Sequence, residues 1–278
     1  MTINCHGKLI DLKVPRIMGV LNLTPDSFYD GGRLKNENEI VVKVAQMLEG
    51  GADFIDLGGY SSRPGATDIS VKEEISRVAP IVKLLRKEFS NILLSIDTFR
   101  SEVAKVSLDA GASLINDISA GSLDNKMMKT VAEFQVPYIM MHMKGAPQTM
   151  KSLAKYKNVT TEVCYYFSEK IAEARALSIN DVIVDAGFGF AKTVAHNYEL
   201  LNYLHILQQL DVPVLTGVSR KSMIYKVLGT SAKEALNGTT ALHMIALQKG
   251  SNMLRVHDVK EAKECILLHE ALKTHQNM

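Results

Sequence analysis

A single (β/α)8 barrel is the fold this sequence predicts, and three observations lead to it. Short apolar runs alternate with helix-period segments eight times along the 278 residues, the pattern of a parallel sheet covered by helices. The length is close to the roughly 250 residues such a barrel takes, although two smaller domains would also fit it. Each main apolar run stops on a polar or ionisable side chain, and barrels of this kind carry their chemistry at the carboxyl ends of the strands. No shift in composition and no linker interrupts residues 1–278, which favours closure into one barrel over an open sheet.

Ile3 to Leu12 alternates on both sides of His6-Gly7-Lys8, so residues 1–14 are expected to form a hairpin that plugs the bottom of the barrel. Next comes PRIMGVLNLTPDSFYDGGR, from Pro15 to Arg33. Its apolar run (Ile17, Met18, Val20, Leu21) ends at Asn22, and the Thr, Pro, Asp, Ser and Gly that follow are turn chemistry. A helix over Glu37 to Glu49 follows from apolar residues at Ile40, Val41, Val44, Ala45 and Leu48, closed by Gly50-Gly51. Phe54 to Leu57 is the second strand, running into the loop Gly58 to Gly65.

Val71 to Phe89 reads as a long amphipathic helix, and Ile92 to Asp97 as a strand ending on a carboxylate. Ser101 is the expected N-cap of a helix to Ala110. Leu114 and Ile115 form a strand ending at Asn116-Asp117, and Lys126 to Phe134 is helical. Tyr138 to Met141 is a strand reaching His142, and Val159 to Leu177 is a long helix. Val182 to Val184 ends on Asp185, ahead of the loop AGFGFAKT and a helix over Asn197 to Leu210. Val214 to Val218 runs into Ser219-Arg220-Lys221-Ser222, and a helix with apolar Leu236 to Leu247 follows. Met253 to Val256 reaches His257, and Asp258 with Glu261 reads as N-cap and capping box of the last helix.

The strand ends thus supply Asn22, Arg63, Asp97, Asn116, His142, Asp185, Lys221, Arg255 and His257. Residues two apart on a strand share a face, so Arg255 and His257 are expected to point into the mouth while Leu254 and Val256 face the helices. Asp97, Asn116 and Asp185 would line one side with acceptors and an amide, suited to a flat heterocycle carrying N–H donors. Asp185 beside a Gly-rich loop is placed to grip a guanidine-like edge through a charge-assisted contact. Lys221, Arg255 and His257 would bring positive charge to the opposite side, and Ser222 begins a helix whose free N–H groups favour an anion. Asn22 offers a neutral oxygen to a hydrated Mg²⁺ shared with a phosphate. The chemistry read from residues alone is a flat heterocycle with a phosphorylated arm.

Several of these residues have plainer readings. His142, set among Met140, Met141 and Met143, suits a packed strand end, and His243 and His269 suit a helix surface or core. The methionines suit flexible packing, Arg220 a solvated charge, and Gly187 and Gly189 simple turn geometry.

Composition removes other classes. A formal charge of +2, from 32 basic and 30 acidic residues, leaves no global field for nucleic acid or a membrane surface. Cys5, Cys164 and Cys265 are odd in number and widely spaced, which suggests neither a disulfide framework nor a zinc site and fits a reducing cytoplasm. No apolar h-region opens the chain and no run approaches a membrane span of about eighteen residues. The N-x-T triplets at Asn22, Asn158 and Asn237 are accordingly expected to be inert.

MGVLNLTPDSFYDGG, SSRPGA, SIDTFR, LINDISAG, VDAGFGFAKT, GVSRKSMI and RVHDV, in that order over nearly the whole chain, closely resemble the dihydropteroate synthase family of folate biosynthesis. The resemblance implies a barrel that condenses 6-hydroxymethyl-7,8-dihydropterin diphosphate with 4-aminobenzoate, releases diphosphate, needs Mg²⁺, works as a homodimer and is a target of sulfonamide mimics. By the same resemblance Asn116, Asp185 and Lys221 bind the pterin, with Asp97 beside the reacting carbon. Asn22, Arg63, Arg255 and His257 take the diphosphate and metal, and Asp97, Lys221 and Arg63 are the catalytic set. Ser62, Pro64, Phe190 and Ser222 line the aminobenzoate pocket, covered by Phe28. The family commonly reads Glu-Ser-Thr-Arg-Pro-Gly where this chain has Tyr60, Ser61 and Ser62 ahead of Arg63-Pro64-Gly65; Ser62 keeps the hydroxyl.

Two other readings share parts of this pattern. A methyltetrahydrofolate methyltransferase serving a corrinoid would use Asp97, Asn116 and Asp185 but has no leaving diphosphate for Lys221, Arg255 and His257. A non-catalytic pterin-binding barrel could lose Asn22, Arg63 and Asp97, which are intact here. Loss of Lys221 or Arg255 is expected to cut turnover severely and leave the fold intact.

Overall fold

The computed structural model describes residues 1–23, 33–61 and 68–275. It begins with a hairpin, β1 (Thr2–Cys5) against β2 (Lys8–Asp11). The turn passes through His6 and Gly7, both left-handed at φ 53° and 79°, as a two-residue hairpin loop requires.

A closed parallel barrel follows. Its strands are β3 (Arg16–Asn22), β4 (Phe54–Gly58), β5 (Leu94–Asp97), β6 (Leu114–Asp117), β7 (Tyr138–Met141), β8 (Val182–Asp185), β9 (Val214–Thr216) and β10 (Met253–Val256), which returns to β3. Around it lie α1 (Arg33–Glu49), α2 (Val71–Glu88), α3 (Ser101–Asp109), α4 (Met127–Phe134), α5 (Val159–Ala176), α6 (Val194–Asn202), α7 (Ser222–Leu228), α8 (Leu236–Gln248) and α9 (Val259–His275).

Strand alternation divides the interior. Outward-facing Ile17, Leu21, Ile55, Leu57, Leu94, Ile96, Ile115, Val182, Val184, Leu254 and Val256 pack beneath the helices in one continuous core. Inward-facing Met18, Phe54, Leu114, Ile139, Ile183, Leu215 and Met253 form a separate cluster with Ile3, Cys5, Ile10 and Leu12 of the hairpin. The hairpin is therefore the barrel's floor, as its alternation predicts. Two residues further along the same faces, Phe54, Leu114, Ile183 and Met253 give way to Asp56, Asn116, Asp185 and Arg255, because successive inward positions climb one layer toward the carboxyl end.

Several local expectations are corrected. Ser101 does not cap α3; Arg100 holds that position without a side-chain bond, and the Asp124 carboxylate accepts the Ser101 N–H at 2.7 Å. Asp258 does not build a capping box with Glu261, because its two oxygens accept from Arg220 Nε and Nη2, each at 2.8 Å. A bidentate, charged donor outcompetes a neutral backbone N–H. Arg220 is thereby a clamp, also donating to the Ala232 carbonyl at 2.9 Å, and not a solvated charge. The single helix expected over 197–210 divides into α6 and a 3-10 segment, Leu204–Leu210. Asn158 caps α5 by accepting the Thr161 N–H at 2.8 Å.

Candidate active site

The polar layer above Phe54 and its neighbours is crossed by Arg255. Its Nε donates to Asp56 Oδ2 at 2.6 Å and its Nη2 to Asp97 Oδ2 at 2.7 Å. Asn116 Nδ2 donates to the same Asp56 oxygen at 3.1 Å. β10, β4, β5 and β6 are thus tied together at mid-barrel through one guanidinium. Burial works against its charge, but Asp56 and Asp97 outweigh that and hold Arg255 above its ordinary pKa. Burial pushes the Asp97 carboxyl above the usual carboxylate range, with Arg255 opposing it.

Asp185, on β8, has Oδ1 accepting the Gly187 N–H at 2.8 Å. Lys221 donates to the Phe188 carbonyl and sits 5.1 Å from the Phe190 ring centre. Burial lowers the Lys221 ammonium to about 8 while Asp185 pulls it back up; burial raises Asp185 against the attraction of Lys221. These groups converge on Gly217. A methyl group on it would lie 3.8 Å from Arg255 Cβ, Asp185 Oδ2 and Lys221 Nζ alike. On the other side, a methyl group on Gly58 would lie 3.6 Å from Asn22 Oδ1 and 3.8 Å from Asp97 Oδ2. Asn22, Asp97, Asn116, Asp185, Lys221 and Arg255 therefore meet in one hollow at the carboxyl end of the barrel.

The rim completes it. Ser219 Oγ and His257 Nδ1 are 3.0 Å apart, with the His257 ring exposed at the mouth, and half-buried Ser222 opens α7. Ile118, Met141, Met143, Met150 and Ala191, with Phe99 and Phe190 packed on them, form a small apolar wall against which a flat ring can lie.

The separation of acids from bases expected across the mouth does not hold. Arg255 is interleaved between Asp56 and Asp97, since a buried guanidinium without carboxylates would be prohibitively desolvated. His142 is a packed residue, 2% exposed, 2.9 Å from Lys192 Nζ and lowered by burial to about 2. Phe28, Ser62, Arg63 and Pro64 lie outside the described residues. The sequence reading missed Asp56 and Lys192. Asp56 had a signal: it shares a strand face with Phe54 in an otherwise apolar FIDLG, where a lone acid must have an interior partner.

Among the described residues no group of three or more His, Cys, Asp or Glu could hold a metal. Asn22 Oδ1 is a neutral oxygen at the edge of the hollow, across Gly58 from Asp97 Oδ2.

The chain matches the family described as pterin binding enzyme over residues 18–257. Dihydropteroate synthase of Escherichia coli is 41% identical over 273 residues, 98% of this chain and 96% of that protein; that of Streptococcus pyogenes is 42% identical over 264 residues, 94% of this chain and 96% of its own. Among solved structures, Yersinia pestis dihydropteroate synthase with a sulfonamide drug complex has a TM-score of 0.92 at 39% identity, covering 99% of this chain and 100% of that one. The Xanthomonas albilineans enzyme in complex with 7,8-dihydropteroate has a TM-score of 0.87 at 34% identity, covering 98% and 99%.

Proposed function

This chain belongs to the pterin-binding enzymes, among the dihydropteroate synthases, and from that membership we propose that it joins 6-hydroxymethyl-7,8-dihydropterin diphosphate to 4-aminobenzoate. The observation that carries the reading is the convergence of Asp185, Lys221 and Arg255 on Gly217, with Asp97 held to Arg255 beside them. A pterin ring presents a guanidine-like edge, and the Asp185 carboxylate accepts from it in a buried setting where charge-assisted bonds are strong. Asn116 supplies the amide that completes the edge, and Lys221 lies over the same ring. Asp97 then faces the methylene that carries the diphosphate.

The substitution is a dissociative one. The methylene C–O bond breaks and its electron pair leaves with the diphosphate; the pterin ring and the Asp97 carboxylate stabilise the cation left behind. The neutral arylamine attacks, the C–N bond forms, and the amine proton leaves to solvent. No strong general base is needed. His257, Arg63, Asn22 and Arg255 receive the diphosphate, and Arg255 also holds Asp97 in place. Mg²⁺, held by Asn22 and the substrate's own oxygens, would supply positive charge to the leaving group. Phe190, Ser222, Ser62 and Pro64 receive the aminobenzoate, with Phe28 covering it, so sulfonamides are expected to compete for that pocket.

The exposed apolar side chains of α7 (Val227, Leu228), α8 (Ile245) and α9 (Leu267, Leu268, Leu272) support a homodimer through that face; Leu268→Glu should shift the molar mass by light scattering to that of a monomer. No helix among the described residues is long and apolar enough to cross a membrane, and three free thiols suit a reducing cytoplasm.

The test is diphosphate release from the pterin diphosphate, with and without 4-aminobenzoate and Mg²⁺. Release that depends on both supports the reaction, and none under any condition sinks it. Positional isotope exchange within the diphosphate, without aminobenzoate, checks that cleavage comes first; a bound substrate showing none would argue for concerted displacement.

A further inference from the structure

Lys192 takes no part in the chemistry above, yet it is 9% exposed and buried in the loop that follows β8. Its Nζ donates to the carbonyls of Gly187 at 3.0 Å and Phe190 at 3.1 Å, and to the His142 carbonyl at 3.4 Å. The fourth neighbour is His142 Nδ1 at 2.9 Å, which accepts in the Nε2–H tautomer of an imidazole that burial keeps neutral. An ammonium with three protons suits a cage of acceptors, whereas a neutral amine would turn a lone pair toward one of them. Burial lowers Lys192 to about 7, with Asp185 opposing, so only this cage and that carboxylate sustain its charge.

The caged turn is the one that holds the pterin-gripping pair. Gly187, whose carbonyl Lys192 holds, donates its N–H to Asp185. Phe188, the next residue, accepts from Lys221, and Phe190, also held, carries the ring beside Lys221. Asn197 fixes the intervening Gly189 N–H at 2.7 Å. Lys192 thus closes the turn on the end of β7, and the turn in its place orients Asp185 and Lys221.

We propose that Lys192 is a positioning residue for pterin recognition, setting Asp185 and Lys221 by pinning the turn at 187–190 to β7. The proposal rests on the reaction inferred above. It predicts that Lys192→Met weakens binding of the bare ring, 6-hydroxymethylpterin, by about tenfold or more in titration calorimetry, the loss typical when support behind a contacting group is removed. KM for the pterin diphosphate should rise similarly with kcat within about threefold, because a grip on the unreacting part of the ring acts alike in ground and transition states.

Gly187→Ala is the independent check. Its φ of 68° and the His142 carbonyl against its face leave no room for a methyl group, so the turn must lift while the ammonium stays; the same selective loss is expected. Ring affinity equal to wild type in both variants overturns the proposal, as does a fall in kcat with KM unchanged. A wild-type protein that binds no pterin overturns the reaction itself, a result distinguishable from failure of Lys192 alone.

Discussion

Replacing Arg255 with Met keeps much of the side chain's length and removes the charge that two carboxylates share. Asp56 is fully buried and Asp97 is 19% exposed, so neither is screened by water to any useful degree. Breaking a buried pair by deleting one partner costs about 3–5 kcal/mol, since an uncompensated charge remains. For 278 residues, an unfolding entropy of about 2.1 cal/mol/K per residue makes that a fall in Tm of about 5–9 °C. The loss should also depend on pH. Asp97 has a folded pKa above its unfolded value of 3.8, so its contribution is fully present below about pH 4 and is lost as pH rises through the folded value. Without Arg255 to oppose burial that value climbs further, and the variant's deficit should be larger at pH 8 than at pH 5. Calorimetry at both pH values, with Asp56→Asn/Arg255→Met as the partner variant, tests this: the double variant should recover part of the loss. A Tm within about 2 °C of wild type at both pH values, on the same entropy scale, would show that Arg255 is not the neutraliser described.

Other outcomes follow from the same geometry. His243 is 1% exposed with both ring nitrogens unpartnered among the described residues, and burial lowers it to about 4. Its neutral form stabilises the fold above about pH 6.5, and that is lost as pH falls to about 4, a change of about 3 kcal/mol at 1.36 kcal/mol per unit; His243→Leu should raise Tm increasingly as pH drops from 7 to 4.5. Leu12, fully buried in the floor, should cost about 2–5 kcal/mol as Leu12→Ala in urea unfolding, with KM for both substrates unchanged. Lys221→Met should lower kcat/KM about ten- to a hundredfold, the scale of losing one charge-assisted contact to the ring, without the Tm loss of the Arg255 variant. Because the Lys221 ammonium lies at about 8, wild-type pterin affinity should decline above that pH and the decline should vanish in Lys221→Met.

The fold was legible because its signal is local and repeated. Eight apolar runs with helices between them, alternation in Ile3 to Leu12, and inward parity for Arg255 all reappear in the structure. Much of the hollow was legible for the same reason, since Asn22, Asp97 and Asp185 end strands, Asn116 is one residue short of a strand end, and Lys221 opens the helix after β9. What failed were competitions between distant partners. Asp258 had the spacing of a cap and went to Arg220, 38 residues away. Ser101 had the chemistry of a cap and was displaced by Asp124. Lys192 in AGFGFAKT looked like any loop lysine, and only the left-handed turn at Gly187 and Gly189 folds it back over its own carbonyls.

The sequence by itself determined which side chains face inward and at what height, because strand period and strand end are properties of neighbouring residues. Tertiary structure decided which charges those side chains meet. Asp56, Asp97 and Arg255 come from three strands, and closure of the barrel brings both carboxylates within 2.7 Å of the guanidinium. Coulomb energy and desolvation depend on such distances and on burial, neither of which spacing along the chain encodes.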